Sequence, residues 1–259
     1  MNEKNLEFLH RNLKYLGFGE NTLLNQQLEE HVASDELEFD LYTDAFFDHF
    51  VRIEAKLTFK RKDQQGIFIF DHYKATIQYE QDPSRNKERS FHIYKGIGVT
   101  FKEAYNLLDG RAARVDMVNS DGEKYSSWVQ LDFEERDAHQ NYRFKYFRYY
   151  DLEKILMNYP ILEYQDEPSR KKLVAALERG NRYLVTFETA KPEPKWIEAN
   201  PAEKTIRIYT PEPNAKKGRG SEDRRPRMKR SSRPTADPVA ENAAEDQELP
   251  EEVTATRGK

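Results

Sequence analysis

The sequence predicts an α+β protein: antiparallel sheets with short helices packed against them, ending in a disordered tail. Three observations lead there. Several segments carry an apolar residue at every second position, which is the period of a half-buried strand. Others are short amphipathic helices bounded by capping residues and glycines. The third is aromatic content: fifteen Phe, fifteen Tyr and two Trp occur in 259 residues despite a mean hydropathy of −0.97. Disordered chains are poor in such residues, so the aromatics imply packed cores and the polarity must be concentrated elsewhere.

In chain order, Leu6, Leu9, Leu13 and Leu16 line one face of a first helix, which Gly17 and Gly19 are placed to end. A second helix is predicted from Thr22 to Ala33, with Leu24, Leu28 and Val32 along one side. In ELEFDLYTD, Leu37, Phe39 and Leu41 alternate with acids as a strand. VRIEAKLTFKRK alternates without a break through Val51, Ile53, Ala55, Leu57 and Phe59. GIFIFDHYKATIQYE supplies one or two further strands, in which Tyr73, Ala75, Ile77 and Tyr79 keep the period of two. The polar turn QDPSRNKE leads into SFHIYKG.

Thr100 and Glu103 have the spacing of a capping box at the head of a helix that Gly110 stops. ARVDMVNSDGEKYSSWVQLDFEE reads as a hairpin turning at Asp121-Gly122. YRFKYFRYY follows, then Asp151 as N-cap of a helix that Pro160 ends. Another helix has Leu173, Ala176 and Leu177 inward and Gly180 at its C-terminus. NRYLVTFETA and TIRIYTP close the body as strands, with KWIEANP between them. The two ends of the body share a helix–helix–strand–strand pattern, LNQQLEEHVASDELEFDLYTD lying on KKLVAALERGNRYLVTFETA, which suggests an internal duplication. Three regions result: an N-terminal α+β domain over 1–150, a smaller unit over 151–210, and the tail over 211–259.

The tail has two opposed halves. Lys216, Lys217, Arg219, Arg224, Arg225, Arg227, Lys229, Arg230 and Arg233 face only Glu222 and Asp223, whereas 234–259 is acidic. Without aromatics or an apolar period it cannot offset the roughly 1–2 kcal/mol per residue that ordering costs. Its basic half could neutralise phosphates of a nucleic acid; the alternative is a solvated, solubilising extension.

Much chemistry is absent from the chain. With no cysteine there is no disulfide, thiolate nucleophile or Cys-based zinc site. The N-terminus lacks the apolar core of a signal peptide, and no segment approaches the roughly 20 apolar residues that cross a bilayer, so a cytoplasmic protein is expected. His10, His31, His49, His72, His92 and His139 fit no metal-binding spacing. Asp48-His49 and Asp71-His72 are set aside as ligands because strand neighbours point to opposite faces. GxSxG, GxxxxGK[ST] and GxGxxG do not occur. Gly96 and Gly98 precede a helix start, an arrangement that could cradle an anion but commonly serves a tight turn. No catalytic residue, cofactor or metal ligand is predicted.

In YRFKYFRYY, Tyr142, Phe144 and Tyr146 fall on one face of a strand, while Arg143 and Lys145 fall on the other with Phe147 and Tyr149. A nucleic-acid platform needs exposed rings beside its cations. The segregation predicts a core-facing aromatic side and a solvated basic one.

Several stretches carry a resemblance. NLEFLHRNLKYLGFGE, KGIGVTFKEAYNLLDGRAA with SSWVQLDFEE, and YFRYYDLEKILMNYPILE followed by LVAALERGNRYLVTFE resemble an uncharacterised family encoded in conjugative transposons and related mobile elements of gut anaerobes. The resemblance covers residues 1–210 and consists of core and turn positions. It implies an accessory protein of mobile DNA and brings no catalytic residues. The expected function is therefore a non-enzymatic interaction module that binds a protein partner. The alternative is a nucleic-acid-binding accessory that uses 216–233.

Overall fold

The structure is a computed structural model that describes residues 3–19, 21–48, 50–62 and 66–210; the tail and its nine cations lie outside the described residues. The chain is α+β, and every strand pair among the described residues is antiparallel.

Helix α1 (Glu3–Tyr15) buries Leu9 and Leu13, with Leu16 fully buried just beyond its end. Gly17, at φ +82°, turns the chain so that the Phe18 N–H bonds the Leu13 carbonyl at 3.0 Å, closing the helix as a Schellman turn. That turn drives Phe18 into the core. Helix α2 (Thr22–Val32) starts where the Asn21 side chain accepts from the Leu23 and Leu24 amides, and it buries Leu24, Leu28 and Val32 as its spacing predicts.

The first sheet has the order β1-β2-β3-β4, formed by β1 (Glu38–Asp48), β2 (Val51–Arg61), β3 (Phe68–Tyr79) and β4 (Lys87–His92). Phe39 and Leu41 face the core, but Leu37 precedes β1 and is 73% exposed, contrary to expectation. GIFIFDHYKATIQYE is a single strand whose buried positions change phase, from Phe68 and Phe70 to Tyr73, Ala75, Ile77 and Tyr79. The register gives the reason. Phe59 pairs with Phe70 and Thr58 with His72, so Asp71 is an extra residue at a β-bulge.

Helix α3 (Phe101–Leu108) begins with the predicted capping box: Thr100 Oγ1 accepts from the Glu103 amide, and the Glu103 carboxylate accepts from the Thr100 amide at 2.8 Å. Glu103 is only 9% exposed. Burial pushes its carboxyl above the ordinary 4.5, with the Thr100 hydrogen bonds and Arg179 opposing that push in part. A raised pKa means that the folded state keeps a proton which the unfolded chain has released, so stability falls as pH rises past 4.5. Glu103→Gln retains an oxygen acceptor for Thr100. It should match the native protein in urea midpoint near pH 4 and exceed it as pH rises past 4.5, the excess levelling off once the folded carboxyl has ionised. A difference independent of pH would refute the buried charge as its source.

The second sheet, β5-β6-β7, contains β5 (Ala113–Val118), β6 (Lys124–Arg136) and β7 (Tyr142–Phe147). It lies between two cores. Ala113, Val115, Val129, Leu131 and Tyr142 join the cluster formed by α1–α3 and the first sheet. Ala112, Trp128 and Tyr150 join a second cluster with the C-terminal elements. Neighbouring residues of one strand thus serve different cores, as the period of two allows.

The C-terminal unit comprises α4 (Leu152–Leu156), α5 (Leu162–Gln165), α6 (Glu167–Glu178) and the sheet β10-β9-β8, with β8 (Tyr183–Phe187), β9 (Glu193–Asn200) and β10 (Thr205–Tyr209). Asp151 caps α4 as predicted, but the helix ends well before Pro160, and α5 was not expected. Leu173 and Leu177 are buried while Ala176 is only half-buried. KWIEAN of this segment lies in the central strand β9 and Pro201 opens the turn that follows; Pro194 sits beyond the residues that pair with β10, opposite Thr186 of β8. The N-terminal end runs helix–helix–strand–strand, whereas the C-terminal end carries three helices, α4, α5 and α6, before its strands. The element lengths differ: the N-terminal helices have 13 and 11 residues, and α4 and α6 have 5 and 12.

Polar contacts weld the units together. Asn106 Nδ2 donates to the Arg179 carbonyl at 2.6 Å and to Asn181 Oδ1 at 2.9 Å, and Arg114 pairs with Glu178 at 2.6 Å.

Candidate functional site

Where the second sheet meets the C-terminal unit, an open groove of about 770 Å³ runs along the surface. Its construction follows from the strands. In register across the sheet, Arg114, Trp128 and Phe147 form one row. Trp128 packs edge-on against Tyr150, with ring centroids 5.0 Å apart. Tyr150 is pinned in turn, its hydroxyl donating to the Thr205 carbonyl at 2.8 Å and accepting from the Asn200 amide at 3.3 Å. Burial pushes its phenol up to about 12. These rings make a rigid floor. Tyr125 and Tyr146 also border the groove, but they belong to the other face of the sheet, in register with Met117 and Val129, and stay 40% and 50% exposed.

YRFKYFRYY therefore has a divided role. Tyr142 is buried and Phe144 partly so, as expected for the core-facing side, but Tyr146 on the same face is 50% exposed. The face was assigned correctly; the first core simply does not extend as far as the end of β7. Phe147 and Tyr150 turn to the second core, and Tyr149 is 87% exposed. The cations do not form a phosphate-binding row. Lys145 is held by Asp132 at 2.9 Å, and Arg143 lies 3.9 Å from Glu135. Arg148 makes no ion pair among the described residues and borders the groove, opposite Asp151 and Glu153.

The Arg114–Glu178 pair separates the groove from a smaller hollow of about 230 Å³ lined by Tyr15, Thr100, Glu103, Asp116 and Arg179. Two carboxylates are engaged there and in the groove: Ser126 donates to Asp116 at 2.6 Å, and Asp151 accepts from the Lys154 amide. The glycine pair before α3 is no anion cradle. The Phe101 amide bonds the Leu16 carbonyl, the Glu103 amide bonds Thr100, and the Glu103 carboxylate already occupies the helix start. Gly98 is required by packing, because a Cβ there would lie 2.9 Å from the His92 carbonyl oxygen.

No match to this chain was found among protein-family models, curated proteins or solved structures. Its function has to be read from its own geometry. No described helix is long and apolar enough to cross a membrane.

One constellation departs from the sequence-based expectation. Asp71, His72 and His92 come together on the outer face of the first sheet, each offering a ligand atom within 4.8 Å of the others. Two sequence neighbours share the site because Asp71 is the bulged residue, so the rule that strand neighbours diverge fails there. Partial burial by itself would raise the Asp71 carboxyl, but hydrogen bonds from His72 and Lys60 hold it below the ordinary range. The signal was present in the sequence: the apolar phase breaks between Phe70 and Tyr73. His49 lies outside the described residues.

Proposed function

We propose that the protein is a non-enzymatic binding module that holds an extended segment of a protein partner in the groove between the second sheet and the C-terminal unit. The observation that carries this reading is an open groove with a fixed aromatic floor, Trp128 and Tyr150, whose rim is also bordered by the exposed Tyr125 and Tyr146. Binding energy concentrates on aromatic side chains set against rigid, already desolvated surroundings. Arg114 is neutralised by Glu178, which leaves Arg148 against Asp151 and Glu153. That slight acidic excess favours a segment with a Lys or Arg beside an apolar residue. The resemblance to mobile-element proteins would place the partner among the products of such an element, in the cytoplasm.

A nucleic-acid role through Lys216–Arg233 is supported less. Over residues 1–210 there are 31 basic and 36 acidic side chains, and Arg143 and Lys145 both lie beside acids.

Panning a random peptide library against the full chain tests the groove. Enriched peptides should combine an aromatic or aliphatic residue with a Lys or Arg. Their affinity should fall by about tenfold or more in Tyr146→Ala if this rim ring carries binding energy, and should fall also in a Tyr125→Ala variant. Selected peptides that bind these variants as tightly as the native protein would refute the groove.

A further inference from the structure

The structure assigns a transition-metal site to Asp71, His72 and His92, none of which borders the groove, so that it is independent of what the groove binds. His72 and His92 are direct cross-strand partners in β3 and β4, so their side chains rise from the same face of the sheet. Their ring centroids are 5.5 Å apart. Asp71, displaced by the bulge, turns its carboxylate to the same place and lies 2.8 Å from His72 Nδ1. Two imidazoles and one carboxylate form a three-ligand set that leaves further positions open to water.

The donor chemistry selects the ion. Imidazole suits zinc, nickel and copper, whereas magnesium and calcium prefer all-oxygen sites. A tetrahedral zinc site with bonds of about 2.0–2.2 Å has donors roughly 3.3–3.5 Å apart. Asp71 and His72 are already closer than that. His92, exposed near the end of β4, is the member with room to swing inwards and close the remaining gap. A bound ion would staple β3 to β4.

Lys60 competes with an ion for this site. Its Nζ lies 3.0 Å from the Asp71 oxygen that also contacts His72. An ammonium thus sits beside the position that a metal would take, and it must withdraw for the metal to bind. Lys60→Met keeps the aliphatic stem and removes that competitor.

The experiment is calorimetric titration of the untagged full chain with Zn²⁺, Ni²⁺ and Cu²⁺, with Mg²⁺ and Ca²⁺ for comparison. Nitrogen hyperfine structure in the Cu²⁺ spectrum would report the imidazoles. One equivalent of Zn²⁺, Ni²⁺ or Cu²⁺ should bind, and Mg²⁺ and Ca²⁺ should not compete. His72→Ala and His92→Ala should each cost more than the roughly tenfold that even a supporting residue commands. His31→Ala and His139→Ala should change nothing, since neither residue belongs to the cluster. Lys60→Met should bind more tightly than the native protein, and because it leaves both histidines in place it serves even where a histidine variant folds poorly. Failure of both the native chain and Lys60→Met to bind one equivalent would overturn the assignment, as would undiminished binding in the His72→Ala/His92→Ala double variant.

Discussion

Phe18→Ala should lower the unfolding free energy by about 3–5 kcal/mol, the range for truncating a buried aromatic ring. Phe18 is fully buried, and its ring lies 5.0 Å from Phe101, 5.1 Å from Tyr73 and 5.9 Å from Phe70, measured between centroids. Those partners come from α3 and β3, so one side chain at the end of α1 joins three elements. Loss of the ring removes its transfer from water and leaves a void that rigid neighbours cannot fill. Its position makes collapse harder still, because the Gly17 turn fixes the backbone and the Phe101 amide is bonded to the Leu16 carbonyl at 2.7 Å. Against a typical stability of about 5–15 kcal/mol this is a large fraction. Urea denaturation at constant slope measures it. A loss below about 1 kcal/mol would mean that the hub repacks and that the core is looser than its geometry indicates.

Gly180→Ala is expected to cost roughly 2–5 kcal/mol, made up of about 1–2 for an L-residue in the left-handed region and about 1–3 for buried polar groups that lose partners. Gly180 has φ +79°, and a Cβ there would lie 2.6 Å from the Ala112 carbonyl oxygen and 3.1 Å from Asn106 Cβ. Backbone cannot swing aside as a flexible side chain can, so the two units must part. Parting them strains the bonds from Asn106 to the Arg179 carbonyl and Asn181 and from Arg111 to the Gly180 carbonyl. Gly66→Ala is the internal control. Gly66 has φ +77° with nothing within 4 Å of a new Cβ, so it carries the conformational cost alone. Equal midpoints for the two variants would remove the steric part of the account.

What the sequence reveals depends on the distance over which each feature is determined. The Gly17 stop, the Thr100–Glu103 capping box and the hairpin at Asp121-Gly122 are settled by groups a few residues apart, and they appear in the structure as predicted. Features that depend on the partner strand were less visible. The bulge at Asp71 exists only in the pairing of β2 with β3, and with it the meeting of Asp71 with His92. Strand β9 was obscured by Pro194, which is tolerated because β10 does not reach it. The groove was least legible. Periodicity says which side of a strand Tyr146 occupies but not how far the opposing core extends, and the floor joins Trp128 to Tyr150 only after folding.

The middle sheet also constrains how such a chain can diverge. Because Trp128 answers to one core and Val129 to the other, inserting or deleting a single residue within β6 would exchange the indole with the isopropyl group and misfit both interiors at once. Length changes should therefore collect at the tips, around Asp121 and His139, while the strands between them vary only by exchange of like-sized side chains.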